Sequence, residues 1–190
     1  MEESQARELS FFATFMKKGC KPTERTVNQL TITLKAIDRE NYESCLQLAT
    51  APEQQKFVAP NAYSLVQAAY EPELFPLGIY DEETMVGFLL YDFDSELPGW
   101  SMSRFMIDKK HQGKGYGKQT LQLFLNYFYA KYGSVPLYTS VSISNGVAQQ
   151  LYEKFGFVTL EEFSYTYNDV TYHEFRLKKT ASQPAKSNKA

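Results

Sequence analysis

The chain has 190 residues, of which 43% are hydrophobic and 15% aromatic, so it can bury the core of one domain and lies outside the disordered class. Its 20 Lys and Arg nearly balance its 22 Asp and Glu, which argues against nucleic acid or an anionic membrane as a partner. Two cysteines and two histidines without ligand spacing predict no metal site and no disulfide framework, and favour a cytoplasmic location.

The two ends of the chain differ from its middle. Residues 1–28 are expected to form an extension, with one short amphipathic helix over residues 9–16 and a polar connector. That mainly apolar stretch is too short to span a membrane. Residues 180–190 carry no large apolar side chain and are expected to be a disordered tail. The folded domain is therefore predicted over residues 29–179.

Hydrophobic periodicity predicts the elements of the first half of this domain. Apolar residues that alternate indicate strands, and apolar residues three and four apart indicate helices. In chain order the predictions are a strand over residues 31–36, helices over 41–50 and 60–70, strands over 77–80 and 85–91, an acidic loop over 92–99, and a fourth strand over 100–108. An acidic turn joins the second and third strands as a hairpin.

The second half predicts a crossover between parallel strands. Apolar residues from Leu121 to Tyr132 recur at helical spacing, and Gly133 ends the helix. A strand over residues 137–143, a short helix that ends at Gly156, and a hairpin of strands over 157–167 and 171–177 follow. The predicted fold class is α/β, with a mixed sheet whose fourth and fifth strands run parallel in the middle.

A glycine-rich loop stands between the fourth strand and the long helix. Gly113, Gly115 and Gly117 leave backbone N–H groups unobstructed at a helix N-terminus, where the helix dipole favours an anion such as phosphate. The spacing fits neither the P-loop nor the dinucleotide fingerprint. Taken alone, the loop is equally compatible with a tight strand-to-helix turn.

Two motifs together indicate a family. Residues 145–157 follow the pattern Asn-x-x-Ala-x-x-Leu-Tyr-x-x-x-Gly-Phe, and residues 112–117 follow Gln-x-x-Gly-x-Gly. In this order the two motifs resemble those of the GNAT superfamily of acetyl-CoA-dependent N-acetyltransferases. The resemblance covers about residues 31–177 and implies the GNAT fold, a mostly antiparallel sheet with splayed fourth and fifth strands and helices on both faces. Residues 57–65 and 104–117 are similar to bacterial spermidine/spermine or diamine acetyltransferases.

The resemblance implies a site for acetyl-CoA as co-substrate and no metal. The pantetheine arm would lie between the splayed strands, bonded to the backbone of Phe105, Met106 and Ile107. Asn145 would contact the pantetheine or the far end of the molecule. The pyrophosphate would bind the amides of one continuous segment, with its two lysines as charge partners: Gln112, Gly113, Lys114, Gly115, Tyr116, Gly117 and Lys118.

Tyr152 matches the general acid of the family, which protonates the leaving thiolate, and it also belongs to the implied acetyl-CoA site. A tyrosine on the apolar stripe of a helix is ordinarily a core residue, and here the motif favours the catalytic role. A phenol can donate a proton to a thiolate without being ionised in the resting enzyme.

The base that deprotonates the amine is not evident. In polyamine acetyltransferases a carboxylate often stands nine positions before the Gln of the motif, and in this chain that position is Ser103. A partly neutral amine would need no base. Four carboxylates remain alternatives that would act through water: Asp92, Asp94, Glu73 and Glu174.

The acceptor depends on the orientation of Arg104. If its side chain faces the acceptor cleft, it repels a polycation and favours an acceptor with a carboxylate; on the opposite face it is structural. The expected function is acetyl transfer to a primary amine of a polyamine or diamine by direct attack in a ternary complex. The alternatives are an amino acid, an aminoglycoside-like amine or a protein N-terminus as acceptor, and a non-catalytic acyl-CoA-binding regulator. The aromatic C-terminal hairpin is a candidate homodimer surface.

Overall fold

A computed structural model describes residues 31–94 and 99–181. The predicted helix over residues 9–16, the connector and most of the predicted tail lie outside the described residues. The elements in chain order are β1 (Ile32–Ala36), α1 (Tyr42–Leu46), a 3₁₀ helix (Pro52–Phe57), α2 (Asn61–Tyr70), β2 (Leu74–Asp81), β3 (Thr84–Asp94), β4 (Gly99–Ile107), α3 (Tyr116–Tyr132), β5 (Leu137–Ser142), α4 (Gly146–Lys154), β6 (Val158–Tyr167) and β7 (Val170–Lys179).

The strands form one seven-stranded sheet in the order β1-β2-β3-β4-β5-β7-β6. Every neighbouring pair is antiparallel except β4 and β5, which run parallel and are connected through α3. The prediction of a mixed sheet with a parallel pair in its middle is therefore confirmed. The side chains of β6, at one edge of the sheet, are almost all exposed, and the dimer surface proposed for this hairpin stays a prediction.

Each face of the sheet has its own apolar core, because side chains alternate between faces along a strand. On one face, Phe124 and Phe128 of α3 are fully buried against Leu89 of β3, and α4 packs on the same side. On the opposite face, Ala68 of α2 packs with Phe88 of β3. Helices thus cover both faces, as the family resemblance implied.

Two predicted boundaries differ from the structure next to the cleft. Residues 92–94, expected in an acidic loop, belong to β3, because Phe93 continues the alternation and pairs with Trp100. The helix α3 begins at Tyr116 rather than near residue 121, so Gly117 and Lys118 lie in its first turn. Farther from the cleft, the helix expected over residues 41–50 is shorter, and a 3₁₀ helix follows it.

The fold provides two local irregularities at the centre of the sheet. Along β3, Leu90 pairs with Arg104 but Tyr91 pairs with Met102, so Ser103 is the extra residue of a β-bulge in β4. On its other side, β4 pairs with β5 only at its start, through Trp100 with Leu137 and Ser101 with Tyr138. The two strands then diverge.

Gly87 of β3 has no room for a side chain. A Cβ atom there would lie 2.5 Å from the Met106 carbonyl oxygen, which belongs to the backbone of β4. Gly87→Ala is therefore expected to lower the free energy of unfolding by about 3 kcal/mol, measured by urea denaturation. As a control, Gly146→Ala in the first turn of α4 meets nothing within 4 Å and is expected to leave stability unchanged or slightly raised. Equal midpoints for the two variants would contradict this prediction.

Candidate active site

The divergence of β4 and β5 opens a cleft in the middle of the sheet. Where the ladder stops, the Thr139 hydroxyl of β5 donates a hydrogen bond to the Met102 carbonyl oxygen of β4 at 2.9 Å. A side chain thus takes the place of the next backbone hydrogen bond. This contact marks the apex of the cleft, and the remaining residues of β4 form one of its walls.

The β4 wall presents backbone groups to the cleft. The Asp108 N–H bonds back to β3 at 2.9 Å, and an antiparallel ladder alternates, so the peptide groups of Phe105 and Ile107 point away from β3. The Ile107 carbonyl oxygen accepts a hydrogen bond from Gln112 Nε2 at 2.9 Å. The Met106 side chain is buried on the face covered by α1 and α2. These are the three residues expected to hold a pantetheine arm.

The glycine loop follows β4 directly and leaves open space above its backbone. Gly113 and Gly115 have φ angles of +75° and +88°, a left-handed conformation that favours glycine. A Cβ atom at either position would meet nothing within 4 Å. The first N–H groups of α3, which begins at Tyr116, have no partner inside the helix. The loop therefore offers an uncovered set of donors at a positive helix end.

Side chains anchor this loop. The buried Asp108 carboxylate accepts from the backbone N–H groups of Ala49 and Lys110, each at 2.9 Å. The Gln112 amide donates to Gln54 Oε1 of the 3₁₀ helix at 2.8 Å, in addition to its bond to β4. Gln112 thus fixes the end of the strand, and its side-chain N–H groups are engaged within the protein.

The other side chains of the loop point in different directions. The buried Tyr116 hydroxyl donates to Asp81 at 2.5 Å, and this hydrogen bond raises the pKa of Tyr116 to about 12. The exposed Lys114 ammonium donates to the Lys110 carbonyl oxygen at 3.0 Å. Lys118 lines a groove of about 920 Å³ between α3 and α4, together with Lys154 and other residues. Three lysines, Lys118, Lys154 and Lys179, line this groove and make it suitable for an anionic group that continues from the loop.

Tyr152 of α4 lies close to the apex of the cleft. Its side chain is 6% exposed, and burial raises the pKa of its phenol to about 12, while a side-chain hydrogen bond with Thr139 opposes that shift. The phenol is therefore protonated at neutral pH. The Asn145 side chain caps α4 by accepting from the Ala148 N–H at 3.2 Å, which fixes the start of the helix that carries Tyr152.

Arg104 faces the side of the sheet covered by α1 and α2. It pairs with Leu90, whose side chain lies in the core on that face. Its Nη1 donates to the Ser103 carbonyl oxygen at 2.9 Å, and its charge acts on Asp92 of β3 and Tyr63 of α2. The sequence left two orientations of the Arg104 side chain open. In the structure this side chain lies on the face covered by α1 and α2.

Asp92 lies beside Arg104 and accepts a hydrogen bond from the Ser103 hydroxyl. Burial raises the pKa of the Asp92 carboxyl to about 6; Asp94 and Glu71 add to this shift, whereas Ser103 and Arg104 oppose it. The structure therefore brings together the position of the missing acid and one of the four alternative bases.

The remaining alternative bases are placed differently. Asp94 is half-buried on the same strand as Asp92 and acts on it electrostatically. Glu73 is exposed. Glu174 of β7 accepts a hydrogen bond from the Tyr165 hydroxyl of β6 at 3.3 Å. Among these, Asp92 is the carboxylate that contacts Ser103.

Comparison with known proteins identifies the family of this chain. The sequence profile of the acetyltransferase (GNAT) family matches residues 35–157 of the chain. The chain belongs to the GNAT acetyltransferase family. The resemblance predicted from the two motifs is therefore confirmed, and so is its assignment as an acetyltransferase.

Two Bacillus subtilis proteins are similar to this GNAT enzyme over 134 residues, which cover 67% of this chain and 88% of each relative. One is a probable spermine N(1)-acetyltransferase of subsp. natto (strain BEST195), with 31% identity. The other is the spermine/spermidine N(1)-acetyltransferase of strain 168, with 30% identity.

Solved structures share the GNAT fold. The spermidine N-acetyltransferase of Vibrio cholerae, in complex with CoA and spermine, has a TM-score of 0.64 and 18% identity, over 78% of this chain and 95% of that one. The aminoglycoside N(6')-acetyltransferase of Legionella pneumophila has a TM-score of 0.59 and 17% identity, over 81% and 95%. At these identities the likeness concerns the fold alone.

Sequence reasoning missed Thr139, which links Tyr152 to the apex in this GNAT domain. A signal existed, because Thr139 occupies an inward position between Leu137 and Val141 in an otherwise apolar alternation. In the ranges 31–94 and 99–181, the structure contains no helix with the length and apolar character of a membrane span. The same ranges contain no cluster of three or more side chains suited to bind a metal ion.

Proposed function

We propose that this GNAT enzyme transfers acetyl from acetyl-CoA to a primary amine of a polyamine or diamine, by direct attack within a ternary complex. The observation that carries the acceptor class is the charge beside the cleft. The carboxylates of Asp94 and Glu71 lie close enough to act on the Asp92 carboxylate, and the guanidinium of Arg104 is the cation that acts on the same group. Two B. subtilis relatives named for spermine support the same class.

The residues present fit acetyl-CoA, which supplies an activated acetyl group. The pantetheine arm lies in the cleft along Phe105, Met106 and Ile107, where the peptide groups of Phe105 and Ile107 face the opening. The pyrophosphate binds the donors of residues 112–118, where the open space over two glycines admits it. Asn145 lies at the start of α4, beside the path of the pantetheine.

Tyr152 is the general acid in this proposal. Its phenol keeps its proton at neutral pH because burial raises its pKa to about 12, and Thr139 holds it at the apex of the cleft. As the carbon–sulfur bond breaks, Tyr152 donates its proton to the sulfur and recovers one from the amine nitrogen that has attacked. Backbone N–H groups of β4 stabilise the negative oxygen formed in between.

One observation favours a second candidate acceptor. Arg104 faces the side of the sheet where the acceptor carboxylates lie, and its Nε is buried without a hydrogen bond in the described part of the chain. A guanidinium in this position suits the carboxylate of an amino acid or a peptide. This acceptor ranks second because the nearby carboxylates outnumber the guanidinium.

Thiol release separates these functions. The pure protein is mixed with acetyl-CoA and, in turn, spermidine, spermine, a diamine, amino acids, a peptide and an aminoglycoside, while free thiol is followed. We expect release with the polyamines or the diamine. Release only with amino acids or peptides would support the second candidate instead. No release with any amine, combined with tight acetyl-CoA binding, would indicate a non-catalytic regulator.

A further inference from the structure

Asp92 and Ser103 come from neighbouring strands and meet at the bulge of β4. Ser103 is the extra residue of the bulge, so it has no pairing partner on β3, and its hydroxyl turns to the Asp92 carboxylate. Neither residue supports the core: Asp92 is half-buried among charged groups, and no apolar cluster contains it. A partly buried carboxylate that engages a hydroxyl at an irregular point of a sheet is typical of a functional site.

The pair lies next to the apex of the cleft, on the side opposite Tyr152. Ser103 directly follows Met102, whose carbonyl oxygen holds Thr139, and Thr139 in turn bonds to Tyr152. Tyr152 reaches the apex from α4, on one face of the sheet. Asp92 lies on the other face, with Arg104 and the charged groups that carry the acceptor assignment. An amine that approaches the apex from this face therefore passes Ser103.

We propose that Asp92, acting through the Ser103 hydroxyl, accepts the proton that the substrate ammonium must lose before it attacks. This inference rests on the proposed acetyl transfer to an amine. The ammonium nitrogen gives one proton to Ser103 Oγ as Ser103 gives its own proton to Asp92. The amine becomes neutral, the carboxylate becomes a neutral acid, and Ser103 is unchanged. Asp92 then releases its proton to solvent, and Tyr152 delivers the proton that the sulfur gains.

The surroundings keep Asp92 suitable for this task. Burial raises the pKa of its carboxyl to about 6, and Asp94 of the same strand and Glu71 beyond α2 act in the same direction. Arg104 of β4 and the Ser103 hydrogen bond oppose them and limit the shift. The carboxylate is therefore ionised at neutral pH, yet it is a stronger base than a solvated aspartate.

The arrangement also accounts for the serine at position 103. A carboxylate at that position would stand on β4 itself. In this chain the carboxylate stands on β3, and the bulge of β4 brings the shorter Ser103 side chain against it. The acid is thus supplied by the neighbouring strand, with the hydroxyl as the connection.

The test is the pH profile of kcat/KM, from thiol release with the amine that the wild type acetylates best. Wild-type activity is expected to fall as the pH falls through about 6, where Asp92 takes up a proton. In Asp92→Asn, kcat/KM at pH 7 is expected to be about 100-fold lower, because the amine must then reach its neutral form without a base in the protein. In this variant the fall of kcat/KM near pH 6 is expected to disappear, activity is expected to recover at high pH, and the affinity for acetyl-CoA is expected to stay unchanged.

A second and a third variant separate the proton pathway from a structural role. Ser103→Ala removes the hydroxyl that connects Asp92 to the amine, and its kcat/KM is expected to lose the same fall near pH 6. This variant tests the proposal if Asp92→Asn does not fold. The double variant Asp92→Asn with Ser103→Asp returns a carboxylate to the acceptor side and is expected to restore part of the activity. Glu83→Gln serves as the control, because Glu83 is exposed in the turn between β2 and β3, at the end of β3 far from Asp92.

The outcomes distinguish this inference from the proposed function. Thiol release with an unchanged acid limb in Asp92→Asn and Ser103→Ala overturns the inference and leaves acetyl transfer intact. If only amino acids or peptides are acetylated, the polyamine assignment fails, and the same pH comparison with those acceptors decides the role of Asp92. No thiol release with any amine overturns both.

Discussion

Tyr152→Phe is expected to lower kcat by about 100-fold to 1,000-fold while the affinity for acetyl-CoA stays nearly unchanged. The substitution removes one hydroxyl and keeps the ring that packs against Phe157, with centroids 5.5 Å apart. The lost group is the proposed proton donor at the apex of the cleft, and without it the departing thiolate would have to take its proton from water. The core around the ring loses no volume, which leaves the binding surfaces in place.

Stopped-flow or steady-state thiol release gives kcat, and calorimetric titration gives the acetyl-CoA affinity. Tyr127→Phe is the matched control, because Tyr127 of α3 is also buried and its hydroxyl lies 3.0 Å from the Tyr91 hydroxyl of β3. It is expected to lose stability and keep kcat. A Tyr152→Phe variant that loses acetyl-CoA binding and keeps turnover at saturation would mean that Tyr152 serves packing alone.

Gly115→Asp is expected to weaken acetyl-CoA binding by about 100-fold, which corresponds to about 2.7 kcal/mol. Gly115 caps α3 in a left-handed conformation, with φ of +88° and open space where its side chain would begin. A carboxylate there would occupy the position offered to the pyrophosphate and add like charge to it. Aspartate also suits a helix N-terminus, so the helix itself is not expected to unfold.

Gly133→Asp provides a matched control for this prediction. Gly133 stands at the other end of the same helix, has φ of +73°, and also has nothing within 4 Å of a Cβ position. Both substitutions place the same side chain at a positive φ, with ψ of 0° at Gly115 and −155° at Gly133, and only the substitution at Gly115 lies in the loop. Acetyl-CoA affinity, measured by titration, is expected to stay at the wild-type level. Equal losses in both variants would contradict a pyrophosphate site at residues 112–118.

The type and order of the elements could be predicted from the sequence because they depend on local periodicity. The end of β3 could not, because Asp92 and Asp94 end the apolar run while Phe93 continues the alternation. The pairing of Phe93 with Trp100 is a contact across strands, which the pattern of one strand does not contain. Tertiary pairing thus extended the strand beyond its apolar residues.

The residues of the candidate site could also be predicted from the sequence only in part. The glycine loop and the position of Tyr152 on α4 follow from motifs that are continuous in sequence. The contact of Ser103 with Asp92 does not, because it depends on a one-residue shift between β3 and β4. The orientation of Arg104 depends on that shift as well. Position 103 of β4 carries a serine, and the carboxylate that contacts it, that of Asp92, stands on the neighbouring strand β3.

The early divergence of β4 from β5 also determines what holds the molecule together. The ladder across this seam ends after two residue pairs, so backbone hydrogen bonds contribute little to joining the four strands on one side to the three on the other. A single apolar cluster spans the seam instead, with Leu89 from one side, Leu177 from the other and Phe124 above them. The two parts of the sheet share a core rather than a ladder, and the backbone groups that face the seam beyond those two pairs have no strand partner there.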